Sequence, residues 1–99
     1  MSRTTGVSTR ARAPRRPRRP ALEIRTGTGE DPRVVLGRII HRERIRFGIS
    51  QEELADRAEL DRTYISGMER GMRNPTFLVI LRLARVLEIS PAVLVELEE

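Results

Sequence analysis

The sequence predicts an all-α domain of five helices at residues 31–99, preceded by a disordered basic tail at residues 1–30. Three observations carry this expectation. Apolar residues in the second part of the chain recur at helical spacing, with no strand-like alternation. Helix-start signals stand ahead of each run, at Asp31-Pro32, Ser50, Asp61, Thr76 and Ser90-Pro91. Composition changes sharply near residue 30, because Ser, Thr, Gly, Pro and Arg dominate before it. Ordering such a stretch costs about 1–2 kcal/mol per residue in backbone entropy, with too little apolar burial to offset it.

The first helix is expected from the Asp31 cap to about Phe47, with Gly48 as its left-handed stop. Leu36, Ile39 and Ile40 share one of its faces, and Ile45 joins them less regularly. The second begins at Ser50, where the S-x-x-E pattern with Glu53 reads as a capping box, and turns Leu54, Ala55 and Ala58 inward. A turn at Glu59-Leu60 leads to a third helix, capped by Asp61, running to about Arg70 and stopped by Gly71. Its core positions are Ile65 and Met68. Thr76 caps the fourth, where Phe77, Ile80, Leu83, Ala84 and Leu87 follow the i, i+3, i+7 pattern. Ser90-Pro91 opens a last helix carrying Leu94 and Leu97. In the tail, Pro14, Pro17 and Pro20 stiffen the sequence toward extended polyproline-like conformations.

Charge is divided unevenly. All nineteen basic residues are arginine, and the chain carries +5 overall. Residues 1–33 hold nine Arg and three acids, whereas residues 34–99 hold ten Arg and eleven acids. The basic excess belongs to the tail, so a polyanion-binding surface on the folded part must come from local clustering. The absence of cysteine excludes disulfides and thiolate metal sites and suits an intracellular compartment. The longest apolar run, Phe77–Leu81, is far short of the roughly 20 residues a membrane span needs. The Arg15-Arg16 and Arg18-Arg19 pairs precede no apolar stretch of the kind an export signal requires. A soluble, cytoplasmic, nucleoid-associated protein is expected. His41 is the sole histidine, expected on the surface of the first helix, and no paired-carboxylate or phosphate-loop pattern is present. No enzymatic function, metal or cofactor is expected.

From Ile49 to Thr76 the sequence reads as two short helices, a tight turn between them, and a following loop rich in arginine and amide. Such a unit lets the start of its second helix approach DNA base edges while its neighbour grips the backbone. Arg44, the run Gly48 to Ala55, Tyr64-Ile65-Ser66, Glu69-Arg70-Gly71 and Asn74-Pro75-Thr76 together resemble the lambda-repressor/Cro-like, or XRE-type, helix-turn-helix family. The segment Leu60–Thr76 is similar in particular to the controller proteins of restriction–modification systems. The resemblance covers about two-thirds of the chain, and the arginine tail has no counterpart in it. It implies a lambda-repressor-like fold and a dimeric, sequence-specific regulator of transcription that binds double-stranded DNA.

Arg62, Thr63 and Tyr64 fall in the first turn of the third helix, the end that enters the major groove in this motif. Arg62 suits a bidentate contact to guanine, worth about 1–3 kcal/mol of discrimination. Thr63 offers a hydroxyl or a methyl, and Tyr64 suits a phosphate or a base step. The resemblance places base reading in this turn and adds the loop arginine, Arg73. Gln51, Ser66, Arg70 and Asn74 are the candidate backbone contacts. The plainer reading makes Arg62 a solvated helix-start arginine, Gln51 an ordinary helix-start polar residue, and Arg70, Arg73 and Asn74 a solvated stretch. For Arg44 and Glu69 the resemblance implies a partly buried ion pair joining the first and third helices. Two positions depart from the family pattern. Glu59 stands in the turn where glycine is usual, at a cost of about 1 kcal/mol or more if left-handed. Gly67 stands where many relatives carry a long mid-helix side chain, so direct readout is expected to be narrow, with DNA shape contributing more.

Once the core is assigned, Leu78, Leu81, Val86, Val93 and Val95 remain as surplus apolar residues near the C-terminus. With Leu97 they form the candidate interface of a homodimer that would place two recognition helices about 34 Å apart on a roughly palindromic operator. The plainer reading is that some of them complete a small core. The tail suits either a minor-groove or phosphate-tracking arm, or a nonspecific electrostatic tether, and RNA binding is a further reading. Two other functions fit the same features. One is a toxin–antitoxin antitoxin and autorepressor, whose protein partner is a toxin. The other is an adaptor that uses the domain for protein contacts, with the transcription machinery among its partners, and the tail for nucleic acid.

Overall fold

Backbone hydrogen bonding closes five helices within residues 24–97, the part of the chain that the computed structural model describes. They are α1 (Pro32–Phe47), α2 (Gln51–Ala58), α3 (Arg62–Glu69), α4 (Phe77–Leu87) and α5 (Pro91–Leu94). No strand is present among the described residues. Each helix starts on a side-chain cap in extended backbone. Asp31, Ser50, Asp61, Thr76 and Ser90 accept from the amides of Arg33, Glu53, Thr63, Val79 and Ala92, replacing helical bonds those amides cannot make. Three helices stop on a left-handed residue, α1 at Gly48, α2 at Glu59 and α4 at Glu88. The last two are Schellman turns: the amides of Leu60 and Ile89 reach back to the carbonyls of Ala55 and Ala84, at 2.8 and 3.0 Å. Leu60 and Ile89 then pack against the core, which ties each turn to the interior.

α3 lies at the centre, packed against both α1 and α2, while α4 rests on α2 and α5 closes over α4 and α1. One core joins all five, built from Val35, Ile39 and Ile40 of α1, Leu54, Ala55 and Ala58 of α2, Ile65 and Met68 of α3, Ile80, Leu83, Ala84 and Leu87 of α4, and Leu94 of α5. Truncating a fully buried member such as Ile40, Leu54, Ile65 or Leu83 to alanine should cost about 2–5 kcal/mol. The approach of α1 to α3 depends on Gly37. A Cβ there would overlap the Met68 carbonyl oxygen and lie 2.8 Å from that of Glu69, so the two backbones meet with no side chain between them.

The structure departs from the sequence reading at four places. Phe77 is 73% exposed. It is the first residue of α4, and helical side chains lean toward the N-terminus, so its ring projects off the end of the helix and away from the core. Ile45 is also exposed, because the inward arc of α1 is completed by Glu43 and Arg44. α5 ends at Leu94, so Leu97 lies beyond it, half-buried against the core. Ahead of Asp31, residues 26–30 form a hydrogen-bonded turn. The Thr26 amide donates to the Glu30 carbonyl at 3.0 Å, Thr26 is buried, and Arg38 of α1 grips the Glu30 carboxylate through both terminal nitrogens at 2.7 and 2.8 Å. Expectations for residues 1–23 and for Glu98 and Glu99 lie outside the described residues.

Candidate nucleic-acid interface

α3 presents its first turn outward because Ile65 and Met68 anchor the opposite side in the core. Arg62 and Thr63 are exposed, and Tyr64 and Ser66 are half-buried. Asp61 holds the turn in place by accepting from both the amide and the hydroxyl of Thr63, at 2.9 and 2.7 Å. Those two bonds hold the Asp61 carboxyl below the usual range, and the positive charge of Arg73 adds to the effect. The Thr63 hydroxyl proton is thus engaged, leaving its oxygen as an acceptor and its methyl as an apolar contact.

Arg73 reaches this turn from the loop between α3 and α4. Two bonds fold the loop back on the helix: the Gly71 amide donates to the Met68 carbonyl at 3.0 Å, and that of Met72 to the Gly67 carbonyl at 2.8 Å. The Arg73 side chain then runs along α3 and places its guanidinium over the Tyr64 ring, 5.2 Å from the ring centre. Arg70 and Asn74 are exposed at the two ends of this loop. Among the described residues, Arg62, Arg70 and Arg73 form no salt bridge with a carboxylate. A locally cationic surface therefore stands on a domain whose charge is otherwise nearly balanced.

Behind it, a buried polar cluster fixes α3 to α1 and α2. Arg44 grips Glu69 through Nε at 2.6 Å and a terminal nitrogen at 3.0 Å, with 8% and 4% of the two side chains exposed. Arg44 also donates to the Ile49 carbonyl at 2.9 Å, which closes the link between α1 and α2. Gln51 donates to the same Glu69 carboxylate at 3.0 Å, so its side chain is engaged inward; with the Glu53 amide taken by the Ser50 cap, the backbone amides of Gln51 and Glu52 are the first-turn donors that helix geometry leaves over. His41, exposed on α1, brings Nδ1 within 3.0 Å of Glu69. Burial pushes the Glu69 carboxyl up, but the bonds from Arg44, Gln51 and His41 outweigh it and hold the group below the usual glutamate range.

The C-terminal apolar residues divide into two sets. Val86 and Leu97 are half-buried against the core, which spends part of the expected surplus, and Val93 is half-buried as well. Leu78 and Val95 are exposed. Leu78, Leu81, Ile89 and Pro91 line a shallow apolar groove flanked by Arg82 and Arg85. Sequence reasoning missed Gly37, the Glu69 contacts of His41 and Gln51, and Glu43, a buried carboxylate paired with Arg42 and Arg46. A glycine inside an amphipathic helix was the available signal for the first.

A helix-turn-helix unit with arginines at the start of its second helix and in the loop after it defines the class, and comparison with known proteins places the chain within it. The family model described as Helix-turn-helix matches residues 40–94, and the chain belongs to this family. It is 38% identical over 65 residues to the uncharacterized HTH-type transcriptional regulator y4dJ of Sinorhizobium fredii, spanning 66% of this chain and 84% of the relative. It is 37% identical over 60 residues to the control protein C.BamHI of Bacillus amyloliquefaciens, spanning 60% of this chain and 74% of that protein. Among solved structures, the restriction–modification controller protein C.AhdI of Aeromonas hydrophila superposes with a TM-score of 0.62 at 44% identity, covering 63% of this chain and 94% of C.AhdI. The controller protein C.Esp1396I, solved as a tetramer on its natural 35 base-pair operator, superposes with a TM-score of 0.59 at 39% identity, covering 65% of this chain and 84% of that one. This chain is a DNA-binding transcriptional regulator of the XRE, controller-protein type.

Proposed function

We propose that the protein binds a roughly palindromic duplex operator as a homodimer, in the manner of a restriction–modification controller. α3 enters the major groove with Arg62, Thr63, Tyr64 and Arg73 at the base edges. Ser66, Arg70, Asn74 and the first-turn amides of α2 beside Gln51 meet phosphates. Regulation follows from occupancy of the operator in the cytoplasm, with no chemical step. The observation that carries this reading is the surface itself: the outward turn of α3 and the loop arginine meet at Tyr64, with Arg62, Arg70 and Arg73 in no salt bridge among the described residues, on a helix pinned from behind by a buried ion pair.

We assign dimerisation to the groove of Leu78, Leu81, Ile89 and Pro91 together with the C-terminal apolar residues Val86, Val93, Val95 and Leu97. One domain reads few base pairs, and two-fold pairing supplies the second half-site. Binding assays on a preferred operator and on random duplex decide the matter. Arg62→Ala and Thr63→Ala should weaken operator binding roughly 5- to 150-fold while sparing nonspecific affinity. If removing residues 1–29 abolishes binding while Arg62→Ala does nothing, the helix-turn-helix is not the reader.

A further inference from the structure

The recognition helix lacks a side chain at its centre, and the loop arginine occupies the space. A Cβ on Gly67 would lie 2.9 Å from Cγ of Arg73, 3.3 Å from Nε and 3.6 Å from Cδ. Gly67 is buried although it lies on α3 one turn after Tyr64, and those Arg73 atoms are what its missing Cβ would meet. The same residue accepts the Met72 amide at 2.8 Å, so the loop backbone is fastened one residue before the arginine starts back along the helix. The side chain then has two supports: the bare backbone of Gly67 under its stem and the Tyr64 ring under its guanidinium.

We infer that Gly67 is a positioning residue for sequence readout, a seat that holds Arg73 against the recognition helix so that a loop cation is presented where a helical side chain would otherwise project. This rests on the reading of Arg73 as a base contact. An arginine held before DNA arrives loses less rotamer freedom on binding, and its planar head keeps one orientation. Direct readout is then broader than the bare centre of the helix suggests, because Arg73 replaces the missing contact. Gly67 and Gly37 differ in kind. At Gly37 an added methyl meets carbonyl oxygens of the backbone, whereas at Gly67 it meets the stem of a side chain, whose Cγ can clear it only by changing rotamer. Gly67→Ala should therefore displace Arg73 while the helices keep their packing, and alanine's higher helix propensity offsets the cost of moving the stem, so the melting temperature should change little.

The test uses the full chain with Gly67→Ala, Arg73→Ala and the double variant. Without DNA, NMR reads the ring-current shift that Tyr64, the one tyrosine, imposes on the Arg73 side-chain protons. With DNA, affinities are measured across a panel of single base-pair substitutions in a selected operator. Gly67→Ala should abolish the ring-current shift, lower operator affinity roughly 5- to 150-fold at the same positions as Arg73→Ala, and add nothing in the Arg73→Ala background. Retention of the shift together with full affinity overturns the inference. So does an equal loss from Gly67→Ala in the presence and absence of Arg73, which would mean that the methyl meets the DNA directly. If the shift is lost but Arg73→Ala leaves every affinity unchanged, the seat stands and the reading of Arg73 as a base contact falls.

Discussion

Removing one partner of the Arg44–Glu69 pair should unfold much of what positions the recognition helix. The two side chains are 8% and 4% exposed and share two bonds of 2.6 and 3.0 Å. Arg44→Met would strand the Glu69 carboxylate beside Gln51 and His41 and leave the Ile49 carbonyl without its 2.9 Å donor. Breaking a buried pair from one side costs about 3–5 kcal/mol, a large share of the roughly 5–15 kcal/mol that holds a domain folded. For a domain of this size the melting temperature should fall by at least about 12 °C. Urea unfolding followed by far-UV circular dichroism measures the loss for Arg44→Met, Glu69→Leu and the pair Arg44→Met/Glu69→Leu. The double variant should be far more stable than the sum of the single losses, since it leaves no charge unpaired. A loss below about 1 kcal/mol for Arg44→Met, the worth of an exposed pair, would refute the structural role.

Three other outcomes follow from the same geometry. Gly37→Ala should cost about 1–3 kcal/mol in urea unfolding, because the methyl meets the α3 backbone and no side chain can yield. Glu59→Gly should stabilise the domain by up to about 1 kcal/mol, since Glu59 sits at φ 60° and glycine relieves the left-handed strain at some entropic cost; an unchanged melting temperature would mean the turn is unstrained. Stability should also fall in acid. The folded carboxyls of Glu69, Glu30 and Asp31 lie below their ordinary values, the last two at about 2 and each held there chiefly by its arginine partner. Their contribution is complete above the unfolded carboxyl pKa of about 4 and disappears as pH falls through the folded values. The urea midpoint should be level from neutral pH to about 5 and decline below that, and a midpoint that rises on acidification would contradict it.

The helices were legible because their ends are written locally. Asp31, Ser50, Asp61, Thr76 and Ser90 each act within three residues of themselves, and Ile80, Leu83, Ala84 and Leu87 announce one face by spacing. Phe77 misled because periodicity ignores the lean of side chains at a helix start. Ile45 misled because two charged neighbours, Glu43 and Arg44, hold the inward positions an apolar count reserves for isoleucine. Of the candidate site, the outward turn Arg62–Tyr64 could be read from its place after the Asp61 cap. The seating of Arg73 on Gly67 could not, since it depends on a loop folding back six residues onto the helix. The inward bond of Gln51 was equally hidden, because its partner Glu69 lies on another helix.

In vitro selection of bound duplexes from a random pool, using the full chain, tests the central claim most directly. Two copies of one half-site in inverted orientation, centred about one helical turn or a whole number of turns apart, are expected, with guanine at the positions lost by Arg62→Ala and Arg73→Ala. A pool that stays random after repeated rounds, or a motif unchanged by both substitutions, would contradict a helix-turn-helix reader on this surface.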